Sequence, residues 1–144
     1  MKKQRFKPKF DKLFRILLIL TNVLVIVPVV ITAFFSVEAI YILIPIFLFV
    51  NYFLISPCFG YVELLESELF IKYGFFLKKS IPYSKIRDVE MDKRWYSESM
   101  MSLKNSLDHI NIKYNRFDVT SVSVVENEEL IEALKERIKG ARSE

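Results

Sequence analysis

Two long apolar stretches dominate the first part of the chain. Positions 16–37 and 39–62 carry no charged residue, and a single acidic residue separates them. Because about 20 apolar residues in a helix cross the hydrocarbon core of a bilayer, the pattern predicts two transmembrane helices, at about 16–37 and 39–60, joined by a tight turn. Asn22 and Asn51 lie within these spans and could bond to each other or to a second copy, so a homo-oligomer is one expectation.

From Tyr61 onward the pattern changes to the alternation that is typical of β-strands. Leu69, Ile71 and Tyr73 share one face, Gly74 marks a turn, and apolar positions continue beyond it to Ile81. Further strands are predicted around 86–92 and at Leu107–Tyr114 and Phe117–Val124, the last two joined by a two-residue turn at Asn115–Arg116. The apolar phase slips between Val119 and Val122, which indicates a bulge.

The chain ends in a predicted amphipathic helix. Asn127 is placed to cap its start, acidic residues follow in the first turn, and Gly140 marks its end. Leu130, Ile131, Leu134 and Ile138 form one apolar stripe, which suits packing against one sheet. The predicted fold class is therefore α+β: an N-terminal transmembrane helical hairpin, then an antiparallel β-barrel or sandwich capped by a C-terminal α-helix. This is the outline of a pleckstrin-homology-like (PH-like) domain.

Four stretches of the chain resemble bacterial YyaB-like pleckstrin-homology proteins, which are membrane-anchored; they are 61–65, 69–74, 81–86 and 106–114. The chain departs from the family pattern at His109, where the family usually has Arg, and at Lys104 and Asn105, where small or apolar residues are common. The resemblance implies membrane-anchored, non-enzymatic domains. It also implies that some relatives serve as immunity proteins against membrane-active bacteriocins.

Charge divides the chain into three parts. The first, a basic cytoplasmic tail at 1–15, precedes the predicted helices at 16–60 and has seven cations: Lys2, Lys3, Arg5, Lys7, Lys9, Lys12 and Arg15. Because loops rich in Lys and Arg stay in the cytoplasm, we predict a multi-pass protein of the cell membrane with both termini cytoplasmic, so that the PH-like domain at 61–144 is cytoplasmic too. The basic tail is read as a topology determinant, with attraction to anionic headgroups as the alternative. The third part, at 61–144, is nearly neutral and gives no reason to expect a nucleic-acid partner.

The sequence offers little material for catalysis. One Cys and one His exclude an internal disulfide and a zinc site made of four cysteines, and the three scattered glycines form no phosphate-binding loop. Cys58 lies at the membrane end of the second predicted helix and has no activating cation, so it is interpreted as a small apolar filler. His109 is expected to be exposed on a strand, with Asp108 on the opposite face. We therefore expect no enzyme, no cofactor and no metal.

Two groups of residues are candidates for contacts with a membrane interface or a partner protein. Phe75 and Phe76 lie at the tip of the first predicted hairpin. The second group, in the irregular segment 93–105, consists of Lys93, Arg94, Trp95 and Tyr96. Aromatic rings beside cations favour the headgroup level of a bilayer, although core packing is the alternative for the tryptophan.

These observations lead to three functional hypotheses. The first is a non-enzymatic, membrane-anchored PH-like protein that gives immunity to a bacteriocin-like peptide or acts in envelope stress. The second is a membrane scaffold or accessory subunit that docks a cytoplasmic partner through 93–105. The third is a module that binds lipid headgroups through the cations beside the first hairpin tip.

Overall fold

The computed structural model describes residues 4–94, 96, 99, 102–104 and 106–143. Two helices, α1 (Lys12–Phe35) and α2 (Val37–Ile55), pack against each other, and the short 3-10 turn Ser56–Phe59 follows α2. Both helices are long and apolar enough to span a membrane, and none of their residues, all of which the structure describes, is buried. The first helix begins four residues before the predicted start, and the second gives way to the 3-10 turn before the predicted end.

Two four-stranded sheets and a third helix form the rest of the chain. The first sheet is antiparallel and has the order β1-β2-β3-β4, with β1 (Gln4–Phe6), β2 (Tyr61–Leu64), β3 (Glu68–Lys72) and β4 (Lys78–Pro82). The second has the order β5-β7-β8-β6, with β5 (Ile86–Lys93), β6 (Ser102–Leu103), β7 (Asp108–Tyr114) and β8 (Asp118–Val122). Among the strands that the structure describes, only β6 runs parallel to its neighbour, β8. The chain ends with α3 (Asn127–Ser143).

Strand β1, like the short β6 in the segment predicted to be irregular, is a feature of the fold that the sequence did not predict. It lies within the segment assigned to a basic tail, yet it pairs with β2 so that Arg5 stands opposite Glu63, and Phe6 is buried in the core. The following residues also join the domain, because the Lys9 amide donates to the Ser123 carbonyl at 3.0 Å. The helical hairpin is therefore an insertion between two neighbouring strands of one sheet.

The core lies between the two sheets and is closed by α3. Val62 and Leu64 of β2 and Leu69 and Ile71 of β3 alternate inward, as a strand period of two requires. Three members of the stripe predicted on α3 are buried as well, namely Leu130, Leu134 and Ile138, and the fourth, Ile131, is partly buried against the core. The helix continues through Gly140, the predicted stop, to Ser143. Asn127 accepts a bond from the Val124 amide (2.9 Å), so its side chain stabilises the preceding turn.

Two expectations about β7 and β8 are wrong. His109 is 1% exposed, because both faces of β7 are covered, and its Nδ1 lies 3.0 Å from the Leu107 carbonyl oxygen. The β7–β8 register runs without a break, and the register shift lies between β5 and β7. The apolar phase slips in β8 because Thr120 takes the inward position beside Val122, where it pairs with the Tyr73 hydroxyl at 2.6 Å. Ser121, on the other face, is also buried and donates to Asn111 at 2.7 Å.

Candidate functional site

The start of α1 is tied to the second sheet by a set of polar contacts. Asp11 precedes the helix, and its Oδ2 accepts bonds from the Ser106 hydroxyl (2.7 Å) and the Leu107 amide (2.9 Å), just before β7. Lys9 approaches Asp108 at 3.5 Å. We call these five residues the polar junction. It fixes the direction in which α1 leaves the domain.

The carboxylate of Asp11 is stabilised in its charged form. Partial burial acts to raise its pKa, but the bonds from Ser106 and Leu107, together with the charges of Lys9 and Lys93, outweigh burial and hold the pKa below its ordinary value. A cavity of about 280 Å³ opens beside it; apart from Asp11, its lining residues are Leu13, Phe14, Leu17, Lys104, Ser106 and Leu107. The polar junction therefore borders a mainly apolar cleft along the first turns of α1.

The end of α2 is tied to the first sheet by aromatic packing. The β3–β4 turn bends back so that Phe75 stacks on Tyr52 (5.4 Å between centroids) and on Phe59 (4.7 Å). The Phe75 amide also donates to Ser56 Oγ at 3.1 Å. We call Tyr52, Ser56, Phe59, Gly74 and Phe75 the aromatic junction. It brings the tip of a sheet hairpin against the last turn of a long apolar helix.

Gly74 is required in the aromatic junction because of space. A Cβ atom at this position would lie 2.0 Å from Ser56 Oγ and 3.2 Å from Ser56 Cβ. Its φ angle is not positive, so the reason is the close approach of Ser56 and not a left-handed backbone. A similar contact occurs at Gly60, where a Cβ would meet the Lys72 carbonyl oxygen at 2.5 Å. The 3-10 turn Ser56–Phe59 thus depends on two glycines: Gly74 makes room for its first residue, Ser56, and Gly60 directly follows its last.

The predicted basic residues do not form a single cluster. The Arg5 guanidinium lies 3.6 Å from the centre of the Tyr61 ring, with Lys72 at 5.8 Å from the same ring. Lys7 accepts a backbone bond from Val125 (3.1 Å). Lys9 belongs to the polar junction, Lys12 is the first residue of α1, and the Arg15 amide donates to the Asp11 carbonyl. Lys2 and Lys3 lie outside the described residues.

The second group of candidate contact residues lies at the end of β5. Arg94 forms an ion pair with Asp92 (3.1 Å) and donates to the Tyr96 hydroxyl (3.1 Å), while Lys93 lies 3.9 Å from Asp108. Trp95 is outside the described residues. Lys104 donates to the carbonyls of Arg94 and Tyr96, and partial desolvation lowers its pKa although the charge of Asp92 opposes the shift. The described members of this group lie at or after the end of β5 in the second sheet, whereas Phe75 and Phe76 lie in the β3–β4 turn of the first.

The described residues contain no group of three or more His, Cys, Asp or Glu side chains placed to hold a metal ion. Cys58 is exposed after α2 and His109 is buried in β7, where it contacts the Leu107 carbonyl. The two junctions are suited to holding α1 and α2 in position against the sheets. The chemistry they offer is hydrogen bonding, ion pairing and ring stacking.

Sequence reasoning missed the residues that attach the helices to the domain. Asp11 is the only acid among the cations before the first apolar stretch, which could have singled it out as a helix cap. Its actual partners, Ser106 and Leu107, are far away in the chain, and no periodicity reveals such a pair. Ser56 carried no signal, whereas Gly74 was recognised as a turn residue but not as a contact.

Two four-stranded sheets that share a core and are closed by a C-terminal helix define the chain as a PH-like protein, here with a helical hairpin inserted after the first strand. Residues 60–138 match the family model described as Bacterial PH domain. The chain belongs to the bacterial PH domain family. The match begins just before β2, so β1 and the hairpin lie outside the matched residues. No curated protein and no solved structure matches the chain.

Proposed function

We propose that this chain is an integral membrane protein whose helical hairpin holds a non-catalytic, PH-like binding module at the cytoplasmic surface of the cell membrane. One observation carries the proposal: the hairpin is inserted between β1 and β2, which pair with each other. Bacterial PH domains are generally non-catalytic modules, and PH domains often bind lipids or proteins.

The pairing of β1 with β2 supports the proposed topology. Because the two strands are hydrogen-bonded neighbours, the start of α1 and the end of α2 both lie next to the domain, and so on the same side of any membrane that the hairpin crosses. An even number of crossings satisfies this condition, and two helices of sufficient length and apolarity are present. The cations before α1 favour the cytoplasm as that side.

The attachments also support a fixed orientation of the domain. Only five residues separate β1 from α1, and five separate α2 from β2. The polar junction holds the first connection and the aromatic junction holds the second. A domain attached in this way cannot swing as on a flexible linker, so its binding surfaces face a constant direction relative to the bilayer.

Cysteine cross-linking tests the strand pairing in the native membrane. In a Cys58→Ser background, which has no other cysteine, the pair Arg5→Cys and Glu63→Cys should form an intramolecular disulfide when isolated membranes are oxidised, because facing residues lie within disulfide range. The matched control is Arg5→Cys with Phe70→Cys, since Phe70 stands opposite Glu63 one strand further away, at about 9–10 Å from β1. Equal cross-linking of both pairs, or of neither, would contradict the proposal.

Accessibility of single cysteines tests the topology. In the same background, Ser36→Cys at the α1–α2 turn should react with a membrane-impermeant maleimide added to intact cells. Phe117→Cys, in the β7–β8 turn, should react only after the membrane is permeabilised. The opposite pattern would refute the cytoplasmic orientation of the domain, and recovery of the chain in the soluble fraction without detergent would refute membrane anchoring.

Immunity to a membrane-active bacteriocin, or a role in envelope stress, stays a hypothesis that rests on the sequence resemblance. It predicts that expression of the chain protects a sensitive host. Unchanged killing by a broad panel of membrane-active peptides would count against it while leaving the anchored module intact.

A further inference from the structure

We infer that Phe76 and Leu77, at the tip of the β3–β4 hairpin, insert into the cytoplasmic leaflet among anionic phospholipid headgroups. This inference rests on the proposed function, because it requires α2 to end at that leaflet. It goes further by assigning a lipid contact to the folded domain itself, in addition to the helices.

The position of the tip follows from the aromatic junction. Phe75 is held against Tyr52 and Phe59, and its amide is bonded to Ser56, so the turn lies at the last turn of α2. The next two side chains point away from the core: Phe76 is 80% exposed and Leu77 is 61% exposed. If α2 spans the bilayer, these side chains are at the depth of the interface.

The exposed surface of the tip is continuous with the apolar surface of the helix. Phe76 stacks on Tyr52 at 6.2 Å between centroids, and a cavity of about 180 Å³ is lined by residues of both elements, among them Phe53 and Leu77. Phe53 and Phe59 are themselves more than half exposed. An apolar surface that continues from a membrane helix onto a neighbouring hairpin is most simply covered by the same lipid.

The charges beside the tip indicate which lipid. Lys72 and Lys78 face each other as the last pair of the β3–β4 ladder, and Lys79 follows. The described acidic residue of this hairpin, Glu68, stands at its opposite end, across from Pro82. Aromatic side chains flanked by lysines are the arrangement that favours a headgroup region with anionic lipids.

The β7–β8 turn provides a matched control within the same chain. Phe117 is 81% exposed, almost the same as Phe76, and it also lies in a turn beside a cation, Arg116. The Asn115 amide bonds to the Lys85 carbonyl, which comes after the far end of β4. Since β4 has five residues at about 3.3 Å each, this turn lies well away from the Phe76 tip.

The experiment places one environment-sensitive fluorophore at a time on the full-length protein in lipid nanodiscs. In a Cys58→Ser background, Phe76→Cys, Leu77→Cys and Phe117→Cys are labelled with a nitrobenzoxadiazole maleimide, and quenching by spin-labelled lipids is measured in phosphatidylcholine with and without phosphatidylglycerol. We expect blue-shifted emission and several-fold stronger quenching at 76 and 77 than at 117. Phosphatidylglycerol should increase the quenching at 76 and 77. Adding Lys72→Gln and Lys78→Gln should abolish that increase.

Equal, water-like signals at all three positions would overturn the inference and leave the tip as a surface for a protein. Quenching at 76 and 77 that does not depend on phosphatidylglycerol would overturn the anionic preference. The accessibility of Ser36→Cys and Phe117→Cys is measured separately, on intact cells. Failure of that pattern refutes the proposed anchoring or orientation, whereas a correct pattern with an exposed tip refutes only the lipid contact.

Discussion

The polar junction and the aromatic junction attach the two helices to the domain in different ways. Asp11 holds α1 through two hydrogen bonds to one carboxylate oxygen and through nearby cations. The aromatic junction holds α2 through stacked rings and through a glycine that permits close approach. The first attachment depends on charge and protonation, and the second depends on shape. Each can therefore be weakened without touching the other.

The two junctions also act on different sheets. Asp11 contacts the residues that lead into β7 of the second sheet, whereas Ser56 contacts the β3–β4 turn of the first. A movement of α1 would thus act on the second sheet, and a movement of α2 would act on the first. Because the sheets share one core, the junctions together keep the domain and the hairpin in one arrangement.

The largest effect is expected from Gly74→Ala in the aromatic junction. The added Cβ would lie 2.0 Å from Ser56 Oγ, so Ser56 must give up its bond from the Phe75 amide, or the turn or the end of α2 must move. Overpacking of this kind should lower the free energy of unfolding by about 3 kcal/mol. Chemical unfolding of the detergent-solubilised protein, followed by near-ultraviolet circular dichroism, measures the change.

Gly140→Ala is the matched control for that prediction. A Cβ at this position of α3 meets nothing within 4 Å among the described residues, so the substitution should stabilise the protein by up to about 1 kcal/mol through helix propensity. Ser56→Ala removes the oxygen that a new Cβ would strike, so it should recover part of the stability lost in Gly74→Ala. If Gly74→Ala is as well tolerated as Gly140→Ala, the close contact in the aromatic junction does not exist.

A somewhat smaller effect is expected from Asp11→Ala in the polar junction. The substitution leaves the Ser106 hydroxyl and the Leu107 amide without their acceptor, which should cost about 2 kcal/mol of unfolding free energy. The same unfolding assay at neutral pH measures it. A loss as small as that of an exposed surface residue would show that the carboxylate does not hold α1.

The dependence on pH separates the charge of Asp11 from its hydrogen bonds. The folded pKa of Asp11 is lowered, so its charged form contributes stability above the ordinary carboxyl range and loses it as the pH falls through the lowered pKa. Asp11→Asn keeps an acceptor oxygen but has no charge. It should be less stable than the native protein at neutral pH and equal to it in strong acid. A difference that grows as the pH falls would have the wrong sign.

The two regions also differ in how much of them the sequence reveals. The hairpin helices, the sheet alternation and the stripe of α3 depend on local periodicity, so they could be predicted. Strand β1 could not, because three residues with one inward side chain, Phe6, are too short for a periodic signal. Its pairing with β2 spans the whole helical hairpin, and a single sequence carries no record of such a distant contact.

The buried polar side chains explain the remaining errors. His109 and Ser121 occupy positions that a simple apolar–polar alternation assigns to solvent, yet both are covered and have hydrogen-bonding partners. A pattern counts apolar side chains and cannot tell whether a polar one is satisfied inside the protein. The aromatic junction was also only partly visible: the Phe75 ring and Gly74 were noted, but the rings of Tyr52 and Phe59 and the hydroxyl of Ser56 were not.

The smallest effect is expected from Lys9→Gln, which changes one charge of the polar junction. Lys9 lies 3.5 Å from Asp108, and both side chains are about one-third exposed or more. Exposed ion pairs of this kind contribute about 0.5 kcal/mol or less, and the backbone bond from Lys9 to Ser123 is unaffected by the substitution. The loss should disappear at about 1 M salt, where charges are screened within about 3 Å.

Unfolding of Lys9→Gln, Asp108→Asn and the double variant at low and high salt measures the pair. A loss that persists at high salt would mean that Lys9 stabilises the polar junction by packing, and the contrast between a junction governed by charge and one governed by shape would then be wrong.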